Sequence, residues 1–149
     1  MKAKVSLSIA FVFCVLLLSA TATAQGGLKP IADCGMIPLG PNEALRLTVA
    51  VGDVNNDNIR VRFRLIEYTA GICTGGVCKH LVMSQTLSPP IMVNANEAAS
   101  TTFPIDVASE EVRYVRGVVL SDSQNVRVRG IVFDTSTQRI NAICTFIPD

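Results

Sequence analysis

The sequence predicts an all-β fold: an antiparallel β-sandwich of about seven or eight strands, stapled by disulfides. Three observations predict it. Apolar and polar residues alternate along several stretches, the period of a strand with one buried face. Polar turns interrupt these stretches at regular spacing, as in a sandwich. An even set of cysteines remains once a leader is set aside. A small barrel fits the same pattern and is the alternative.

The chain opens on a leader, residues 1–24. Lys2 and Lys4 form a short basic start, an apolar run follows over Ile9 to Leu18, and Ala22-Thr23-Ala24 supplies a small-x-small cleavage pattern before Gln25. The run is too short to anchor the protein in a bilayer. Cys14 follows Phe13 where lipidation requires a small residue, which argues against a lipid anchor. The remaining residues, Gln25 to Asp149, suit one domain with one core. The leader carries two of the 13 basic residues and none of the 12 acidic ones, leaving a net charge of −1. A near-neutral chain is a poor candidate for general nucleic-acid binding. The expected location is secreted or periplasmic, without stable membrane insertion after cleavage. No Asn-x-Ser/Thr acceptor occurs, which fits a bacterial source.

A short strand near Cys34 is expected first. Residues 45–51 (Leu-Arg-Leu-Thr-Val-Ala-Val) and 59–65 (Ile-Arg-Val-Arg-Phe-Arg-Leu) alternate strictly. Folded back around Gly52 to Asn58, they pair Val51 with Ile59, Val49 with Val61, Leu47 with Phe63 and Leu45 with Leu65. Every such pair is apolar, and a one-residue slip would bury arginines. Further strands are expected over Leu81 to Leu87, ended by Pro89-Pro90, and over Ala98 to Asp106. Glu111 to Leu120 and Val126 to Phe133 read as a second hairpin across residues 121–125. Ile140 to Ile147 reads as a further antiparallel partner after Thr135-Ser136-Thr137. Asn42-Glu43-Ala44 and Asn96-Glu97-Ala98 form a faint echo, each a polar turn launching a strand.

Four cysteines follow the leader, and in an exported chain they read as bridges. Cys73 and Cys78 flank Thr74-Gly75-Gly76-Val77, whose glycines permit a tight reversal. Cys34 would then join Cys144 and tie the two ends of the domain. A bridge closing about 100 residues is worth about 4.7 kcal/mol in the loop-entropy model, so it would matter more. A zinc site including His80, the single histidine, is the weaker alternative.

Little else suggests chemistry. No Gly-x-Ser-x-Gly elbow, phosphate loop or dinucleotide fingerprint occurs. The acidic residues sit mainly in turns, and the adjacent Glu110 and Glu111 would point to opposite faces of a strand. No catalytic residue and no cofactor are expected. Gly52 to Asn58 places Asp53, Asn55 and Asp57 at alternating positions, as in a calcium loop. Numbered from Asp53, the sixth position is Asn58 instead of Gly and the twelfth is Arg64 instead of Glu. The stretch therefore reads as a reversing loop, with weak partial calcium binding by Asp53, Asn55 and Asp57 as the lesser reading. Phe63, Phe103, Phe133 and Phe146 are expected in the core. The absence of Trp disfavours neutral-glycan binding.

Arginine is the more informative residue. Arg60, Arg62 and Arg64 share one strand face, and the hairpin register sets Arg46 across from Arg64. Like charges so placed need relief by solvent, by Glu43 or Glu67, or by a bound anion. Arg46, Arg60, Arg62 and Arg64 are the candidate face for an anionic glycan or a protein partner, with Arg127 and Arg129 as extensions if their strand is adjacent.

The phrases GPNEALRLTV (Gly40 to Val49), NANEAASTTFPID (Asn94 to Asp106) and VRGVVLSDSQNVRVRGIVFDTST (Val115 to Thr137), with the late Cys144, resemble a loose group of uncharacterised exported bacterial β-sandwich proteins. The resemblance covers most of the mature chain. It implies an immunoglobulin-like sandwich and no activity or catalytic residue. Together these readings predict a non-catalytic binding or structural module. The alternatives are a fibre or pilus-type subunit joined by strand addition, with residues 25–39 as a donor that its glycines and prolines make a poor one, and a small secreted enzyme or inhibitor using the Cys73–Cys78 loop.

Overall fold

In the computed structural model, which describes residues 27–52, 58–69, 71–108, 111–144 and 146, every element is a strand. There are eleven among the described residues, against the seven or eight expected. They are β1 (Lys29–Leu39), β2 (Glu43–Val51), β3 (Ile59–Tyr68), β4 (Ile72–Thr74), β5 (Val77–Lys79), β6 (Val82–Leu87), β7 (Ile91–Val93), β8 (Ala98–Pro104), β9 (Arg113–Ser121), β10 (Val126–Asp134) and β11 (Ile140–Cys144). The excess comes from three-residue strands too short to show a period, β4, β5 and β7. The expected leader, residues 1–24, lies outside the described residues.

The long strands form two antiparallel sheets. Sheet A runs β1-β9-β3-β6, with β7 also paired to β3; sheet B runs β11-β10-β2-β8. Their inward faces share one core. Leu45, Leu47, Val49 and Val51 of β2 meet Ile59, Val61, Phe63 and Leu65 of β3, with Val115 and Val119 of β9, Phe103 of β8 and Val132 of β10. Alternation is thus obeyed on both long strands. Phe146 packs at the edge of this core, whereas Phe133 is buried outside it, beneath Arg46 on the outer side of sheet B.

Two expected hairpins are corrected. The strands flanking Gly52 to Asn58 do not pair: β2 pairs with β10 and β8, and β3 pairs with β9, β6 and β7. Likewise β9 belongs to sheet A and β10 to sheet B, so residues 121–125 cross between sheets. The physical reason is the same in both cases. An apolar row is satisfied equally by a neighbour in its own sheet or by the facing sheet, so a matched apolar register does not distinguish the two. The expected β10–β11 pair is present, with Gly130 opposite Cys144.

Pro89-Pro90 interrupts the edge beside β3, as expected, and Ser88 carries the ladder across the break. Its N–H donates to the Phe63 carbonyl (2.8 Å), and its hydroxyl accepts from the Phe63 N–H (2.9 Å). The echo at Asn42 and Asn96 is one turn used twice. Both asparagines are left-handed (φ 61° and 62°). In each, a glutamate carboxylate accepts from the backbone N–H three residues earlier: Glu43 from Gly40 at 2.8 Å and Glu97 from Asn94 at 3.0 Å. The two turns launch β2 and β8, which are antiparallel neighbours.

Candidate functional site

The Cys73–Cys78 bridge is present, with Cys73 and Cys78 opposite each other in the β4–β5 hairpin. Gly75 and Gly76 both have positive φ (60° and 82°), the requirement of the two-residue turn that matches strand twist. Ile72 and Val77 of this hairpin are exposed. Cys34 of β1 and Cys144 of β11 are also brought together over Gly130, but as two buried free thiols and not as the expected bridge. A hydrogen bond between them, with burial, pushes the Cys34 thiol well up, and the same bond lowers Cys144.

Because β3 buries Ile59, Val61, Phe63 and Leu65, Arg60, Arg62 and Arg64 must project from the outer face of sheet A. Their cross-strand neighbours set the surroundings. Arg60 lies opposite Met92, Arg62 opposite Leu120, and Arg64 between Leu87 and Val118. On β9, Arg116 is opposite Met36 of β1 and pairs with the Asp33 carboxylate. The hydrogen bond from Arg116, aided by the Gly35 N–H and the charges of Arg116 and Arg64, holds the Asp33 carboxyl below its ordinary value despite partial burial.

The arginines differ in their engagement. The Arg60 backbone N–H donates to Asp122 Oδ1 at 3.0 Å, and its guanidinium lies 4.0 Å from the same carboxylate. Arg62 Nε donates to the Ser88 carbonyl at 3.0 Å. Arg64 Nε is buried with no acceptor among the described residues. Four guanidiniums therefore share this face with two carboxylates, Asp33 and Asp122. Beside Arg60 and Arg62 opens a groove of about 300 Å³, lined also by Leu28, Leu87, Pro90 and Leu120.

Arg46 is not part of this face, which corrects the expected cluster. It projects from sheet B, opposite Ile131 and Thr102. Its Nε donates to Thr102 Oγ1 at 3.0 Å, and its guanidinium lies 4.6 Å from the Phe133 ring centroid. Arg127 and Arg129 join Arg46 on that side, opposite Ala50 and Thr48. The contributors that sequence reasoning missed are Arg116, on β9 beside β3, and Asp33, on β1 at the far side of β9.

His80 bonds the Thr69 carbonyl through Nδ1 (3.0 Å) and packs at a tilt against Tyr114, with ring centroids 4.8 Å apart and 57° between the planes. These contacts give it a packing role in tethering the β4–β5 hairpin to sheet A. The calcium candidates Asp53, Asn55 and Asp57, and Glu110, lie outside the described residues. Among the described residues no group of three metal-ligating side chains gathers, and no helix is long and apolar enough to cross a membrane. No protein-family model matches the chain, and neither a curated protein nor a solved structure matches it.

Proposed function

We propose that this chain is an exported, non-catalytic β-sandwich that binds an acidic polysaccharide through the outer face of sheet A. The observation that carries the reading is the row Arg60-Arg62-Arg64 with Arg116, four guanidiniums facing two carboxylates among the described residues, in which Arg64 Nε has no acceptor from those residues. Alternate residues of a strand repeat every ~6.6–6.8 Å, so the row suits a polymer of spaced anions better than one small ion. Guanidinium forks match carboxylate and sulfate groups.

An immunoglobulin-like architecture supports a binding role on a rigid scaffold. The pairings β2–β8 and β9–β3–β6 follow the B–E and F–C–C′ pairings of that architecture, whereas the first and last strands depart from it, since β1 joins β9 instead of β2 and β10 joins β2 instead of β9. Strand addition is the second reading. It is favoured by β1, an edge strand early in the chain that is held in its sheet by one neighbour, β9.

The test is retention on an acidic-polysaccharide column at moderate salt. Arg60→Ser/Arg62→Ser/Arg64→Ser should lose retention. Arg46→Ser/Arg127→Ser/Arg129→Ser removes the same charge from sheet B and should keep most of it. Equal loss in both variants, or an unretained wild type, overturns the reading. Salt-resistant multimers on native gels would instead support strand addition.

A further inference from the structure

We infer that Cys34 and Cys144 are a modification site: they close into a second disulfide that binds the edge strand β1 of sheet A to the edge strand β11 of sheet B.

Gly130 sets how closely the two cysteines approach. It stands opposite Cys144 in the β10–β11 ladder. A Cβ placed on it would lie 2.5 Å from Cys144 Sγ and 2.9 Å from Cys34 Sγ. Both sulfurs therefore crowd one point, and a residue without a side chain is what lets Cys34 of one sheet reach Cys144 of the other. Lying 2.5 and 2.9 Å from that one point, the two sulfurs are close neighbours, and both cysteines are 9% exposed. They belong to the core cluster that joins the sheets. Two thiols held so close need only a small approach to bond, in a chain whose Cys73 and Cys78 are already joined.

The step balances as thiol–disulfide exchange. The Cys144 thiolate attacks one sulfur of an external disulfide and expels the other as a thiol. Cys34 then attacks Cys144 Sγ in the mixed disulfide and expels the second thiol. Two electrons pass from the cysteines to the donor disulfide, and their two protons leave on the released thiols. The oxidant is a small-molecule or protein disulfide, and access comes through β11, the outermost strand of sheet B, whose residues 140–143 are exposed.

The bridge spans opposite ends of the chain and fixes β1. Strand exchange through β1 would therefore require prior reduction. This separates the inference from the polysaccharide reading, which does not depend on it.

The protein is purified, treated with oxidised glutathione, unfolded in guanidinium without reductant and alkylated with iodoacetamide. No adduct on Cys34 or Cys144 is expected, and peptide mapping should recover a 34–144 cross-link. Alkylation of both residues, or their capture as glutathione adducts, overturns the inference. A second measurement uses Cys73→Ala/Cys78→Ala, so that any redox effect comes from the remaining pair. Dithiothreitol should lower its Tm by roughly 10–20 °C, the size expected for a bridge over about 100 residues. A Tm that does not respond to reduction counts against the bridge.

Discussion

Gly130→Ala tests the close approach of Cys144 and Cys34 over Gly130. In an ordinary strand conformation, replacing Gly by Ala stabilises by about 0.4–1 kcal/mol, because the unfolded chain loses freedom. Gly130 has no left-handed φ to forbid the change. Space is the obstacle: the new methyl would lie 2.5 Å from Cys144 Sγ, 2.8 Å from Cys144 Cβ and 2.9 Å from Cys34 Sγ. Comfortable contact is about 3.5–4.0 Å, so β1 and β11 must give by about 1 Å. Overpacking of this kind costs about 1–3 kcal/mol. After the backbone gain, a net loss of about 0.5–2 kcal/mol remains, or a Tm fall of roughly 2–8 °C at this size. Gly117→Ala is the comparator. Its methyl would meet only the branch ends of Leu45 and Leu47, 2.9 Å away, which can rotate aside more readily than a β-carbon or a crowded sulfur. Thermal unfolding should therefore rank Gly130→Ala as the more damaging. A Tm at or above wild type for Gly130→Ala would refute the claim that the sheet edges close tightly over this glycine.

Three further outcomes follow from the core, the proline break and the Asp33–Arg116 pair. Phe63→Ala removes a fully buried ring and should cost roughly 3–5 kcal/mol, read as a lower urea midpoint with unchanged slope. Ser88→Ala deprives the Phe63 N–H of its acceptor; a loss of about 1–3 kcal/mol is expected, with faster hydrogen exchange at that amide. Asp33 is depressed in the folded state, so its stabilising effect is complete above its unfolded value, near 3.8, and is lost as pH falls through the lower folded value. The Tm difference between wild type and Asp33→Asn should accordingly be constant from pH 7 to about 5 and shrink below pH 4. A difference that grows on acidification would contradict the ion-pair account.

What the sequence made legible was facing, and what it hid was partnership. Alternation in 45–51 and 59–65 identified the buried side of β2 and β3 correctly, since Leu45, Leu47, Val49, Val61 and Phe63 are all fully buried. It could not say whether those rows lie side by side or face to face, because both arrangements bury the same atoms. The Cys73–Cys78 hairpin was legible because its constraint is local: two cysteines, two residues of positive φ and a short span. The β10–β11 pair was legible for a similar reason. Its turn is short, and Asp134 Oδ1 accepts from the Ser136 and Thr137 N–H groups at 2.9 and 2.8 Å, which fixes the reversal locally. Arg116 and Asp33 were not legible as parts of the arginine face. Their position on the same sheet face as the β3 arginines depends on the order β1-β9-β3, a non-local choice that no short pattern encodes.

The like-charge conflict between Arg46 and Arg64 disappears with the corrected pairing, since Arg46 has Thr102 and the Phe133 ring while Arg64 has Leu87 and Val118. What persists is crowding along β3 itself, and it is unevenly relieved. Arg60 has Asp122, and Arg62 has the Ser88 carbonyl. Arg64 is near Asp33, but that carboxylate is committed to Arg116. An incoming anion should therefore gain most at Arg64, where Nε is already desolvated and no acceptor among the described residues need be displaced. Lysine keeps the charge yet loses the fork and the Nε donor. Arg64→Lys should thus elute from an acidic-polysaccharide column at clearly lower salt than wild type, whereas Arg60→Lys should shift less. Equal elution of the two variants would mean that the face attracts by net charge alone, with no special place for Arg64.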